Sequence, residues 1–354
     1  MTIDSSRLSQ LLSSIRRTPD FNSTIGLKPV LFVVSGSQLF GTTIAASDLD
    51  CDGIFVPDFD EIQKLLVNFS PMTRLYLREA EISGLTSDEL KNIEALTHTP
   101  ETQRRILRDL LLEVRSKSFT QAELLELAED RDAISGLPSN AVDFQIHPPV
   151  ALARQISGEE LPSVRTQMLL LALLCEDGEV LGANAEKTEA FRRSLRTAIF
   201  ENRSFYFEVN RYWDLWWRYI SHPTGGLHPK KIESATDQEF AVRDKMLYDL
   251  VVTADAHPKV GYDIKRSALL LTTVQAWNEF YENGATRGWR KSAIDTEFIR
   301  SVREGHVDYV TYASYRNREL DKLHSHSTRF QSLRLGVLCA TDVLEELARL
   351  PALL

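Results

Sequence analysis

Three aspartates stand at alternate positions in the stretch Ser47-Asp48-Leu49-Asp50-Cys51-Asp52-Gly53. Alternate residues of a β-strand share a face. Asp48 and Asp50 therefore offer two carboxylates to one side, while Leu49 turns the other way, toward a core. Asp52 continues the acidic face, and Gly53 marks a distortion or a close approach there. Upstream, the apolar run "PVLFVV" stops at Ser35-Gly36-Ser37. Glycine lets backbone approach a ligand closely, and a serine hydroxyl with neighbouring N–H groups can meet phosphate oxygens. Carboxylates beside a phosphate-accepting turn suit nucleotidyl transfer, in which Mg²⁺ held by oxygen ligands assists attack of a hydroxyl and departure of pyrophosphate. The plainer alternative is a polar hairpin with solvated aspartates, because Gly-Ser or Asp-x-Asp alone is common.

Two strands must bracket this motif: the run ending at Val34, and "LDCDGIFVP" closing at Pro57. A third, "AVDFQIH", alternates Val142, Phe144 and Ile146 with Asp143, Gln145 and His147, so Asp143 lies on a polar face. Before it, residues 60–138 carry helical spacing in "DEIQKLLVNF", "SDELKNIEALTH", "ETQRRILRDLLLEVRSK" and "TQAELLELAEDRDAI", with capping-box spacing at Thr120 and Glu123. This block reads as a helical insertion. Residues 1–20 read as a short polar helix with Leu8, Leu11, Leu12 and Ile15 on one face.

From about residue 190 the pattern is mostly helical. Trp213, Trp216 and Trp217 have i, i+3, i+4 spacing, which favours a packed helix over a nucleobase platform. "GYDIKRSALLLTTVQAWNEFYENG" predicts a long helix with Asp263 as N-cap and Gly284 as stop. Tyr262 reads as a core tyrosine, and Lys265 either faces water or supplies a point charge to a polyphosphate. "DTEFIRSVREGHVDYVTYASYRNRELDKL" predicts two further helices, and the tail "LGVLCATDVLEELARL" is amphipathic. The expected organisation is a core over 1–189, with the insertion inside it, and a helical C-terminal domain over 190–354.

Bulk properties narrow the classes. The 354 residues carry a net charge of −9, which argues against broad, non-specific coating of nucleic acid. Arg192, Arg193 and Arg196, and Lys265 with Arg266, form local basic clusters, read here as solvated helix faces. No apolar run is long enough to span a bilayer and no signal-peptide core is visible, so no membrane partner is expected. Three scattered cysteines fit a reducing, cytoplasmic setting. His147 beside a proline pair is weak evidence of function, and His222, His228 and His257 lie too far apart to suggest a zinc site.

The motif residues resemble those of the DNA polymerase β nucleotidyltransferase superfamily, specifically its predicted nucleotidyltransferase group that includes RlaP-type RNA-repair-pathway proteins. That group carries Gly-Ser, a further Gly, then Ser-Asp-x-Asp-x-x-Gly ending in Pro. Gly36, Ser37, Gly41, Ser47, Asp48, Asp50, Gly53 and Pro57 match, with the aromatic Phe40 before Gly41. Gly261, Tyr262, Asp263 and Lys265 match the family's Gly-Tyr-Asp-x-Lys, and Arg303 and Gly305 its Arg-x-Gly element. Arg266 departs from the usual histidine, and the 60–138 block is longer than the family's.

The resemblance implies an α+β fold: a small mixed-sheet polymerase-β-like nucleotidyltransferase core with a helical insertion and a helical C-terminal domain. It implies Asp48, Asp50 and Asp143 as catalytic metal ligands for Mg²⁺, with Mn²⁺ as an alternative, and Asp143 nearest the incoming hydroxyl. Gly36, Ser37, Ser47 and Lys265 would bind the nucleotide. The implied reaction moves an NMP from an NTP such as ATP to a hydroxyl, with an RNA end, tRNA included, as the family's acceptor. A protein hydroxyl, a small nucleotide product and a non-catalytic nucleotide-binding scaffold are the alternatives.

Overall fold

The computed structural model describes residues 27–44, 47–57, 115–119, 142–147, 152, 155–158, 161–182, 185–220, 259–283 and 287–332. The expected helix over 1–20, most of the 60–138 block and the amphipathic tail lie outside these residues.

The fold is α+β, with a five-stranded mixed sheet and helices packed together. The strands are β1 (Leu27–Val34), β2 (Leu49–Pro57), β3 (Arg115–Phe119), β4 (Val142–His147) and β5 (Val180–Gly182). Their order is β3-β4-β2-β1-β5. Only β2 and β4 run parallel; the other neighbours are antiparallel. The inner strands β1 and β2 carry the apolar residues Leu31, Val33, Leu49, Cys51 and Ile54, all buried.

One strand falls where helical spacing suggested otherwise. Arg115–Phe119 pairs antiparallel with β4, Ser118 opposite Asp143, so the 60–138 block is not helical throughout. The sequence "RSKSF" alternates long or aromatic side chains with serine, a period of two that the preceding leucine-rich run obscures. An unpaired β4 edge also favours a fifth strand there.

The helices are α1 (Gly36–Phe40), α2 (Val164–Leu174), α3 (Ala185–Glu201), α4 (Arg203–Ile220), α5 (Ile264–Asn283), α6 (Thr296–Arg303), α7 (Tyr309–Ser325) and α8 (Ser327–Ser332). α5 is buried on nearly every side, as a central helix must be, and packs against α2, α4, α6 and α7. As expected, Asp263 caps it, accepting the Arg266 N–H at 2.9 Å. α2 is likewise buried from Thr166 to Leu174.

Two buried polar devices hold these helices. The carbonyl oxygen of the Gln167 side chain accepts both the Trp213 and the Trp277 indole N–H, at 2.8 and 3.0 Å, tying α2 to α4 and α5. Trp213 and Trp216 are core residues, in line with their spacing. Tyr262 is buried too, its hydroxyl donating to the Val307 carbonyl at 2.9 Å and its ring stacked on Tyr312.

Arg192 and Arg196 correct the solvated-face reading: both are buried. Arg192 Nε donates to the Leu173 carbonyl at 2.8 Å, and its Nη2 to the Cys175 carbonyl. The guanidinium thus satisfies orphan carbonyls at the negative end of α2. Among the described residues, no helix is long and apolar enough to cross a membrane.

Candidate active site

β1 ends at Val34, and the chain turns through Ser35 into α1. The Ser35 N–H donates to the Asp50 carbonyl at 2.9 Å, fastening the turn to β2. Gly36 has φ +59, and a Cβ there would fall 2.0 Å from Asp50 Oδ2. Only glycine fits: the conformation is left-handed and the Asp50 carboxylate fills the side-chain space. Phe40 anchors the far end of α1, buried and stacked on Trp289 with centroids 5.5 Å apart.

The loop back to β2 is held from outside. Ser47 Oγ accepts the Ile44 N–H at 2.9 Å, while the Ser47 N–H donates to the Ile44 carbonyl at 3.0 Å. From α6, Arg303 Nη1 donates to the Thr42 carbonyl at 2.5 Å and Nη2 to Ser47 Oγ at 3.2 Å. One turn earlier, Arg300 donates to the Gly41 carbonyl at 3.1 Å. Burial pulls the Arg303 pKa below the usual guanidinium range, and the nearby Asp50 carboxylate pushes it back up.

Asp48, just before β2, is exposed; on the strand, Asp50 is half-buried and Asp52 buried. Cys51, beneath them, is a free and wholly buried thiol; burial first, and the flanking Asp50 and Asp52 charges second, raise its pKa well above the ordinary value. That makes it inert as a nucleophile. The parallel register sets Asp143 of β4 opposite Asp50 of β2. Farther along the same two strands, Asp52 Oδ1 and His147 Nε2 lie 2.5 Å apart, both buried.

These elements and three helices enclose a cavity of about 290 Å³. Ser35, Gly36, Ser37 and Ser47 line it, with Asp48 just before β2 and Asp50 and Asp52 on that strand. Arg165 of α2, Lys265 of α5 and Arg303 of α6 line it too, with the apolar side chains of Val164, Met168, Ala268 and Leu269. The structure therefore brings together Gly36, Ser37, Ser47, Asp48, Asp50 and Lys265, with Asp143 adjacent to Asp50 by register. Arg266, by contrast, turns back onto Asp263, Nη1 to Oδ2 at 2.9 Å.

No family model, curated protein or solved structure matches the chain.

Sequence reasoning missed Arg165, Arg303 and the Asp52–His147 pair as parts of this region. Arg165 carries no local signal, since an arginine at the second position of a helix is unremarkable. It reaches the cavity because α2 packs against α5. His147 was visible only as a lone histidine, and its partner is 95 residues away in sequence.

Acidic and basic side chains line the same cavity. Among the described residues, Arg165 and Lys265 have no hydrogen-bond or ion-pair partner, and neither has Asp48. Arg303 bonds only to a carbonyl and a hydroxyl. Opposite charges thus line one cavity, and the Asp50 charge acts on Arg303. A ligand carrying both polyanion and divalent cation would satisfy the cations and the carboxylates at once. The carboxylate side is an all-oxygen donor set, which suits Mg²⁺ or Mn²⁺. Among the residues whose side chains are described, which exclude Asp143, no group of three metal-ligating side chains forms.

Proposed function

We propose that this cavity binds a nucleoside triphosphate with a divalent cation, and that the chain transfers the nucleotide to a hydroxyl acceptor. The observation that carries the reading is that the cations Arg165, Lys265 and Arg303 and the carboxylates Asp48 and Asp50 line one cavity. The resemblance of Gly36, Ser37, Ser47, Asp48, Asp50 and Asp143 to the polymerase β superfamily signature supports the same reading, including a polymerase-β-like core for the mixed sheet.

In this account Gly36 brings backbone close to the phosphates, and Ser37 and Ser47 offer hydroxyls beside them. Arg165, Lys265 and Arg303 hold the β- and γ-phosphates by charge and so favour departure of pyrophosphate. Asp48 and Asp50 hold Mg²⁺, which when bound supplies charge neutralisation and lowers the cost of deprotonating the attacking hydroxyl. Asp143, adjacent to Asp50, takes the hydroxyl proton. The acceptor oxygen bonds to the α-phosphorus, the bond from that phosphorus to the β-bridging oxygen breaks, and pyrophosphate leaves.

The acceptor proposed is an RNA end, which rests on the family resemblance alone. The test is incubation of the purified chain with Mg²⁺ and each α-labelled NTP, alone, with total RNA, and with extract protein, beside Asp48→Ala/Asp50→Ala. Label moving into RNA and lost in the variant is the expected result. Label in protein or in a small product keeps the chemistry and replaces the acceptor. No transfer in any lane, together with no NTP binding, overturns the reading.

A further inference from the structure

Among the described strands β2 and β4 are the only parallel neighbours, and the chain between them runs from residue 58 to 141. Parallel strands cannot be joined by a tight turn, so no turn geometry fixes how they align. Side-chain patterning leaves a two-residue slip open, because such a slip keeps every residue on its own face. Yet the alignment decides what faces Asp50. In the observed register Asp143 does; slipped by two, residue 141 or Gln145 would.

The Asp52–His147 pair tells the observed register from the slip that brings residue 141 opposite Asp50. Asp52 aligns with Gln145, and His147 stands two residues farther along β4, so the contact is diagonal and directional along the strands. Both side chains are almost fully removed from water. The slip that brings residue 141 opposite Asp50 would carry His147 away from Asp52, whereas the slip that brings Gln145 there would set His147 directly opposite Asp52 and keep the pair. Breaking this contact leaves a buried polar group without its partner, which is strongly destabilising in general. Buried polar pairs are best attested as devices that specify register rather than as sources of stability.

We propose that His147 is a positioning residue: its buried contact with Asp52 sets the parallel register of β4 on β2 and so holds Asp143 beside Asp50. The consequence for metal binding rests on the function proposed above, whereas the register claim does not.

Cysteine cross-linking tests it directly. In a Cys51→Ala background, two reporter chains carry Asp50→Cys with Asp143→Cys, and Asp50→Cys with Ala141→Cys. A short bifunctional thiol reagent is applied and the linked peptides are identified by mass. With His147 intact, the 50–143 chain should cross-link and the 50–141 chain should not. His147→Leu strands Asp52 and is expected to compromise folding, so Asp52→Leu/His147→Leu is tested in parallel, since an apolar pair commonly replaces a buried polar one without loss of stability. In that folded double variant the 50–143 product should fall and the 50–141 product should appear. His147→Gln, which keeps a donor, should restore much of the original pattern. An unchanged 50–143 product in the folded Leu/Leu chain overturns the proposal, as does failure of 50–143 to link with His147 in place.

A separate readout keeps the two claims distinct. Mn²⁺ binding, followed by the loss of the free-ion EPR signal, should weaken in the Leu/Leu chain that otherwise keeps all three carboxylates. If the register shifts and the parent chain binds no Mn²⁺, the positioning claim stands and the nucleotidyl-transfer reading fails.

Discussion

The Asp50 carboxylate occupies the space that a side chain on Gly36 would need, with Oδ2 2.0 Å from the ideal Cβ position. The turn after β1 and the acidic face of β2 are therefore fitted to each other. Gly36→Ala must move one of them and also adopt φ +59 with a Cβ. The expected cost is about 1–3 kcal/mol, read as a lower midpoint in denaturant. The variant should lose nucleotide binding more completely than its stability loss explains. Gly158→Ala is the control: it too has positive φ, +81, and a close neighbour in Ser204, but it does not line the cavity.

Arg165 and Lys265 are predicted to discriminate by phosphate count. Each charge-assisted contact is worth roughly 1.5–3 kcal/mol, so Arg165→Ala or Lys265→Ala should weaken triphosphate binding about tenfold or more. Binding of the corresponding monophosphate should change little. Titration calorimetry with ATP and AMP, at two salt concentrations, separates this from general damage. Equal losses for both nucleotides would remove these cations from the polyphosphate end.

Arg303 is predicted to act through the loop it grips. Its two bonds, to the Thr42 carbonyl and to Ser47 Oγ, use the forked geometry of a guanidinium. Arg303→Lys keeps the charge and loses the fork. Global stability should fall by only about 1 kcal/mol. Hydrogen exchange should nevertheless speed up at Ile44 and Ser47, whose N–H groups close this loop. Unchanged exchange there would mean that the loop holds itself.

The residues that sequence reading could reach were those with a local signature. A glycine after an apolar strand and aspartates two apart declare their geometry within a few residues, and the structure has Gly36, Asp48 and Asp50 on one cavity. Asp263 announced itself as a cap in the same way. Arg165 and His147 did not, because their roles come from partners supplied by packing and by strand order. Arg192 misled for the same reason: a guanidinium on a polar-looking helix became the cap of a different helix. The strand at Arg115–Phe119 was hidden by a helical pattern running directly into it.

The central claim is that the cavity between β2 and α5 takes a metal–triphosphate complex. Calorimetric titration of a non-hydrolysable ATP analogue, with Mg²⁺ and then with EDTA, tests it most directly, in the parent chain and in Asp48→Asn/Asp50→Asn. If ATP is not the nucleotide used, the same titration with the GTP, CTP and UTP analogues completes the measurement. The account predicts saturable binding of at least one analogue that needs the divalent cation and is lost in the double variant, while the variant's thermal midpoint stays close to the parent's. Binding that ignores both the metal and the two substitutions, or no binding of any analogue, would contradict it.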